Sequence, residues 1–397
     1  MVVNVSISLV NNPSAVYYPG QTVQACVQFH STVQNRVKGI YAKFKGNSHT
    51  SWSTGSGDNK QSHSETEQYF KTEIPLFQAP EGDYVEMQPG NYGYPVNFLL
   101  PQVVPSSFEG GTGYVRYLIK AKVRIKGGTD YRVQHPFTVI FMLDLNTIPE
   151  ARLPAQMQDT KTGCCLCCKT GPVTCMIRLD KQGFVPGENI KINAEVTNNG
   201  TSSIHMTTVS LNMTTVFKAH GSTTSRSKVL STISHGAVGP RESDIWSGDQ
   251  LLVLSTPPSY LYGCSIIDIQ YSCRLAADME GSLMDIKFDL PVIIGTIPLR
   301  PLEDLPLQPP TMSYGQPSEP SWLPSNDQQP DNIALNNMGN AGPITTQPGR
   351  PPDAPPSYEE CMTTNRVRIM RQNSNSADQG EEFSNFAPSY PYYKEKA

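Results

Sequence analysis

Apolar and polar positions alternate with a period of two along most of the first 300 residues. Val23, Ala25, Val27 and Phe29 fall on one face of a short run, with Gln24, Cys26 and Gln28 on the other. Val115, Tyr117, Ile119, Ala121, Val123 and Ile125 alternate in the same way with Arg116, Leu118, Lys120, Lys122, Arg124 and Lys126. Successive strand side chains point to opposite faces, so this pattern predicts strands with one buried and one solvated side. Clusters of Gly, Pro, Asn and Ser separate the runs, and no long segment has a helical period of 3.6. The expected class is all-β.

The second half of this region echoes the first. Tyr18-Pro19-Gly20-Gln21-Thr22-Val23 returns as Val185-Pro186-Gly187-Glu188-Asn189-Ile190, each a Pro-Gly turn that launches a strand. Ile190, Ile192, Ala194 and Val196 repeat the first apolar face, and Ile267, Ile269, Tyr271, Cys273 and Leu275 repeat the later one. Each half closes on a Pro-led apolar strand, at 136–140 and 291–294. Two tandem immunoglobulin-like β-sandwiches fit this spacing. The expected boundaries are 1–152 for the first sandwich, 153–171 for a Cys-rich linker and 172–300 for the second.

Composition changes the picture after that. Of 34 prolines, 17 lie at or after Pro298, and 301–356 is rich in Pro, Gln, Asn, Ser and Gly with few apolar residues. Such a stretch buries too little apolar surface to offset the entropy of ordering, so 301–397 is expected to be a disordered tail. Within it lies Pro355-Pro356-Ser357-Tyr358, a PPxY ligand for WW domains. Paired prolines favour polyproline II, which docks in an aromatic-lined groove while the tyrosine fills the next pocket. Pro355, Pro356 and Tyr358 are therefore the candidate WW-binding residues. Pro257-Pro258-Ser259-Tyr260 has the same letters but falls between two expected strands, where its tyrosine should pack inward. Ala387-Pro388-Ser389-Tyr390 lacks the first proline.

Charged residues make up 17% of the chain and its net charge is −4, which gives no global basic footprint for nucleic acid. Apolar runs stay short of a membrane span, and the first residues lack a basic, cleavable leader, so a cytosolic setting is expected. The asparagine triplets at Asn4, Asn199 and Asn212 then read as strand and turn sequence. One local exception in charge is the polar face of 116–126, where Arg116, Lys120, Lys122, Arg124 and Lys126 share parity. They form a candidate stripe for phosphorylated cargo tails or acidic lipid, or else a solvated face that discourages edge pairing. Cys164, Cys165, Cys167 and Cys168 crowd into five residues. Inter-domain packing, palmitoylation and zinc binding are the readings, in that order, because four thiolates this close struggle to close one tetrahedron. The seven histidines are scattered and no nucleophile elbow, P-loop or dinucleotide fingerprint is present, so neither an enzyme nor a cofactor is expected.

The Pro-Gly openings, Ser107-Phe108-Glu109-Gly110 followed by Val115-Arg116-Tyr117, Gly171-Pro172, Trp246-Ser247-Gly248 and the closing Pro291-Val292-Ile293-Ile294-Gly295-Thr296-Ile297-Pro298-Leu299 together resemble the α-arrestins. The tail's Ala354-Pro355-Pro356-Ser357-Tyr358 is similar to theirs too. The resemblance implies an arrestin fold and a non-enzymatic adaptor. Such an adaptor recruits WW-bearing HECT-type ubiquitin ligases to membrane receptors or transporters for ubiquitination and endocytic sorting. It implies a cytoplasmic protein recruited to plasma membrane and endosomes. Two alternatives come with the fold: a ligase-independent endosomal sorting scaffold, and a redox-responsive regulator like the thioredoxin-binding member of the family. The stretch 239–245, ahead of Trp246, carries no cysteine, so that redox activity is not carried over.

Overall fold

The computed structural model describes residues 3–10, 12–81, 83–165, 168–279, 285–301 and 386–393, with the backbone alone for 163–165 and 168–170. The Pro-rich stretch with Pro355, Pro356 and Tyr358 lies outside the described residues. The first sandwich contains β1 (Val3–Leu9), β2 (Val16–Tyr17), β3 (Thr22–Ser31), β4 (Asn35–Thr54) and β5 (Gln61–Gln78). It continues with β6 (Val85–Met87), β7 (Gly90–Leu99), β8 (Phe108–Glu109), β9 (Gly113–Ile125) and β10 (Tyr131–Val139). The second contains β11 (Ala155–Cys165), β12 (Cys168–Leu179), β13 (Gly183–Phe184), β14 (Asn189–Asn198) and β15 (Ile204–Ala219). It ends with β16 (Ser222–His235), β17 (Ser243–Leu252), β18 (Ile267–Met279) and β19 (Ile286–Ile294).

The two sandwiches repeat one topology. Sheets β1-β3-β7 and β2-β10-β9-β4-β5 in the first correspond to β12-β14-β17 and β13-β19-β18-β15-β16 in the second. Each closes on a two-residue parallel pair, Val16–Tyr17 beside Thr138–Val139 and Gly183–Phe184 beside Ile293–Ile294. The alternation seen in sequence is the burial observed. Val23, Ala25, Val27 and Phe29 are buried, as are Ile190, Ile192, Ala194 and Val196 and the odd-numbered residues 267–275. Gly20 and Gly187 take φ of +78° and +95° in the Pro-Gly turns, a region where a Cβ is strained.

In the second sandwich, β11 has no counterpart in the first. Residues 155–165, expected to lie in a linker, form β11, which pairs antiparallel with β12 from Ala155↔Leu179 to Cys165↔Cys168 and extends the second sandwich's sheet. Thr, Lys, Gln and Asp dominate β11, so no apolar alternation marked it as a strand.

The sandwiches meet through the ends of their long hairpins. The β15–β16 turn, His220-Gly221, has φ of +47° and +81°, the double positive φ of a tight hairpin turn. Its His220 amide donates to Glu65 Oε2 at 2.8 Å, Thr50 Oγ1 donates to the Lys218 carbonyl at 2.8 Å, and the Phe217 and Phe108 rings approach to 6.3 Å. A strap follows β10, where the Leu143 amide donates to Thr296 Oγ1 at 2.7 Å and the Thr296 amide returns a bond to the Leu143 carbonyl. The buried apolar cluster runs without a break from the first sandwich into the second.

Two sequence motifs acquire a physical reason. Gly248, φ +79°, is the extra residue of a β-bulge between the pairs Asn193↔Ser247 and Ile192↔Asp249, which leaves Trp246 buried in the core. Asn198 is fully buried, and its amide donates to the Ser202, Val238 and Gly239 carbonyls at 2.9, 3.2 and 3.0 Å while its Oδ1 accepts from the Gly200 amide. Replacing Asn198 by Ala leaves the buried Gly200 amide without its acceptor and removes three bonds to the loop carbonyls, and should destabilise the chain by about 3 kcal/mol in chemical denaturation. A loss under about 1 kcal/mol would show that water substitutes for the side chain.

Candidate functional site

The inner PPSY sits in a bracket that the repeat builds twice. Ser259 donates its amide to the Ile294 carbonyl at 2.8 Å and accepts the Ile294 amide on Oγ at 2.9 Å. The Tyr271 hydroxyl donates to the Pro257 carbonyl at 2.6 Å. In the first sandwich Ser107 makes the same exchange with Val139, at 2.7 and 2.9 Å, and Tyr117 donates to the Pro105 carbonyl at 2.7 Å. Pro257, Pro258 and Ser259 are buried, so the proline faces a WW groove would grip are inside the protein. The inward tyrosine expected at 260 is a different matter. Phe108 is buried at the equivalent place, but Tyr260 has φ +56° and is 47% exposed. Its amide donates to the Ile269 carbonyl, and the positive φ turns the side chain out of the core.

The basic stripe is partly committed. Arg116 grips Glu109 with two bonds, Nε at 2.6 Å and a terminal nitrogen at 2.8 Å, and its guanidinium lies 3.8 Å from the Tyr114 ring centre. Burial pushes the Glu109 carboxyl above its ordinary value, against the pull of Arg116, so this pair serves the fold. Lys122 pairs with Asp130 at 3.1 Å, and Lys126 lies 4.0 Å from Asp83 and 4.1 Å over Tyr84. Register adds what the sequence alone did not: Lys43 of β4 sits across from Lys120, and Arg132 of β10 across from Lys122. Lys43, Lys120, Lys122 and Arg132 thus share one sheet face, with Arg124 exposed at its end. Only strand pairing, which a single chain does not spell out, brings them together.

Of the cysteine cluster, Cys164 and Cys165 end β11 and Cys168 opens β12, with Cys165 and Cys168 as paired positions at the hairpin end. Cys167 and the side chains of all four lie outside the described residues. Cys175, in the middle of β12 opposite Asp159 and Val196, is buried, and that burial pushes its thiol up to about 12. Among the described residues no group of three or more His, Cys, Asp or Glu could hold a metal ion.

A cluster that sequence reading missed lies beside the Trp246 bulge. His235 stacks on Trp246 with ring centres 3.8 Å apart. Its Nδ1 is 2.9 Å from Asp244 Oδ2 and its Nε2 is 3.2 Å from Asp249 Oδ1, while Asp249 Oδ2 accepts from the Ser247 amide. These side chains come from the end of β16 and both sides of a bulge, so no spacing in the sequence announces them.

The described part of the C-terminal tail, 386–393, lies against both sandwiches. The Tyr390 hydroxyl donates to the Ser107 carbonyl at 3.0 Å, and the Tyr393 hydroxyl donates to the Thr296 carbonyl at 2.7 Å. Ala387-Pro388-Ser389-Tyr390, the degenerate motif, is therefore held in a seam.

The arrangement of two like sandwiches has a counterpart among known proteins. The family description "Arrestin (or S-antigen), N-terminal domain" matches residues 5–146, and "Arrestin (or S-antigen), C-terminal domain" matches 169–299. The chain belongs to the arrestin family, among the α-arrestins. It is similar to Arrestin domain-containing protein 17 of Caenorhabditis elegans, 29% identical over 73% of this chain and 70% of that one. Arrestin domain-containing protein 4 of Mus musculus is 27% identical over 71% and 69%. Thioredoxin-interacting protein of Homo sapiens is 29% identical over 80% and 79%.

The His235 cluster sets a pH dependence. Burial lowers the imidazole's proton affinity, but the hydrogen bonds it donates to Asp244 and Asp249 and their charges outweigh it, so the net shift is upward. A raised folded value stabilises the protonated form. The contribution is full below the unfolded value of about 6.5 and disappears as pH rises through the higher folded value. Melting temperature should fall between about pH 6 and pH 8, and His235→Gln should flatten that slope. An unchanged slope in the variant would assign the dependence to another group.

Proposed function

We propose that this α-arrestin is a non-enzymatic adaptor whose tail PPxY, Pro355-Pro356-Ser357-Tyr358, recruits a WW-bearing HECT-type ubiquitin ligase to membrane-protein cargo held by the sandwiches. Family membership supports the adaptor role. The observation that carries the ligase-facing half is the burial of Pro257 and Pro258. It removes the inner PPSY from competition and leaves the tail copy as the full motif for a WW groove. Ubiquitination, endocytosis and endosomal sorting of receptors or transporters follow as the adaptor's outcome, with the protein recruited from the cytoplasm to plasma membrane and endosomes.

On the cargo side, the face carrying Lys43, Lys120, Lys122, Arg124 and Arg132 suits an acidic surface, whether a cargo tail or the headgroups of a membrane on which the protein sits peripherally. A palmitoyl chain on Cys164, Cys165, Cys167 or Cys168 would add a hydrophobic anchor, and acyl exchange on the full chain tests for it.

Tyr358→Ala should cut capture of isolated WW domains by the full chain about tenfold or more, the loss of the pocket-filling ring, while Tyr260→Ala leaves it unchanged. Loss with Tyr260→Ala instead would transfer the role to the inner motif. Reversing charge with Lys120→Glu and Arg124→Glu together should weaken recruitment to cargo-bearing membranes in cells without touching WW capture. Unchanged recruitment would return the stripe to a solvated strand face.

A further inference from the structure

The seam between the sandwiches holds a peptide, and its chemistry is specific. Residues 388–393 read Pro388-Ser389-Tyr390-Pro391-Tyr392-Tyr393, two Pro-x-Tyr units in tandem. Polyproline II has three residues per turn, so such a repeat sets both tyrosines on one face and both prolines on another. Both tyrosine hydroxyls donate to backbone carbonyls, and to different sandwiches: Tyr390 to Ser107 of the first at 3.0 Å, Tyr393 to Thr296 after the second's closing strand at 2.7 Å.

The backbone is held as well. The Ser389 amide donates to Thr138 Oγ1 at 3.3 Å, Ser255 Oγ donates to the Tyr390 carbonyl at 3.4 Å, and the Tyr393 amide donates to the Pro186 carbonyl at 2.8 Å. Pro391 is buried, and Tyr393 packs beside the cluster of Leu145, Ala151, Val185 and Ile293. The Pro-Gly turns show that the site is shaped for a passing backbone. Above Gly20 the space a Cβ would need is filled by the Gln102 side chain, 2.6 Å away. Above Gly187 it is filled by the tail itself, with the Tyr393 carbonyl oxygen 1.7 Å from where a Cβ would stand. Only a glycine lets the peptide approach so closely.

We propose that this seam is a peptide-binding site for an extended tandem Pro-x-Tyr segment, and that its resident ligand is the chain's own residues 386–393. The site reads unmodified tyrosine. Each hydroxyl must donate to a carbonyl, which a phosphotyrosine dianion cannot do, and Glu109 lies close enough to Tyr390 to oppose added negative charge. The single Pro-x-Tyr at 356–358 is followed by Glu359, so it offers one tyrosine where the site takes two.

The test uses the full chain and a fluorescent synthetic peptide of residues 386–393, read by anisotropy. In the wild type the tethered segment competes, so the peptide should bind the Tyr390→Ala, Tyr393→Ala double variant about tenfold or more tightly than the wild type. Unlabelled peptide phosphorylated at Tyr390, and a peptide of residues 353–360, should fail to compete. Adding Gly187→Ala to the double variant should remove binding. If that variant does not melt cooperatively, protection of residues 183–190 from hydrogen exchange by the peptide locates the site in its place. Equal affinity for wild type and double variant, absence of binding to the double variant, or effective competition by the phosphopeptide would each overturn the proposal. A partner's peptide that displaces the tail and binds the double variant better than residues 386–393 would also overturn the assignment of the resident ligand.

Discussion

A buried serine that bonds both the amide and the carbonyl of one residue fixes each sandwich at its closing strand. Ser107 and Ser259 donate their amides to the carbonyls of Val139 and Ile294 and accept the amides of those same residues on their hydroxyls. Both serines are essentially unexposed, so water cannot replace these bonds and breaking them would strand buried polar groups. The bracket holds the preceding prolines inside, fixes the carbonyls that Tyr117 and Tyr271 reach, and sets where the next residue points. It also acts at a distance. It keeps Pro257 and Pro258 inside the protein, and it presents the Ser107 carbonyl to Tyr390.

The repeat keeps this bracket and varies what surrounds it. In the first sandwich Arg116 of β9 closes on Glu109 of β8, while in the second Arg274 of β18 closes on Asp289 of β19, its terminal nitrogen 2.8 Å from Oδ2. Both clamp the outer face of the same kind of strand, but onto different neighbours. The residue after the bracket differs as well, a buried Phe108 against an outward Tyr260. One framework therefore yields two unlike surfaces, and the seam between them belongs to neither half alone.

Much of the framework was legible because a half-buried strand writes its burial into alternate residues. The faces of β3, β14, β9 and β18 are read directly from Val23, Ile190, Val115 and Ile267 onward. What was not legible depends on pairing across long separations or on backbone dihedrals. β11 lacks an apolar face, so the stretch around Met157 looked like a linker. Lys43 and Arg132 join Lys120 and Lys122 only once register is known. Tyr260 adopts a positive φ that few non-glycine residues adopt, and nothing in Pro-Pro-Ser-Tyr foretells it. His235 meets two aspartates across a bulge. The tandem Pro-x-Tyr of the tail sits in a polar composition that predicts no packing, yet its partners are backbone carbonyls rather than a core of its own.

Seating residues 386–393 in the seam turns the end of the chain into a second point of attachment. Leu299 closes the second sandwich and residues 386–393 lie against the pair, so chain length bounds the distance of Tyr358 from two places. Full extension covers about 3.5 Å per residue. The chain length from Leu299 allows a separation of roughly 200 Å, whereas the shorter length from Phe386 allows roughly 100 Å. Halving that radius reduces the volume within reach about eightfold. Two tyrosine hydroxyls thus set that limit, and releasing Tyr390 and Tyr393 would restore the longer one.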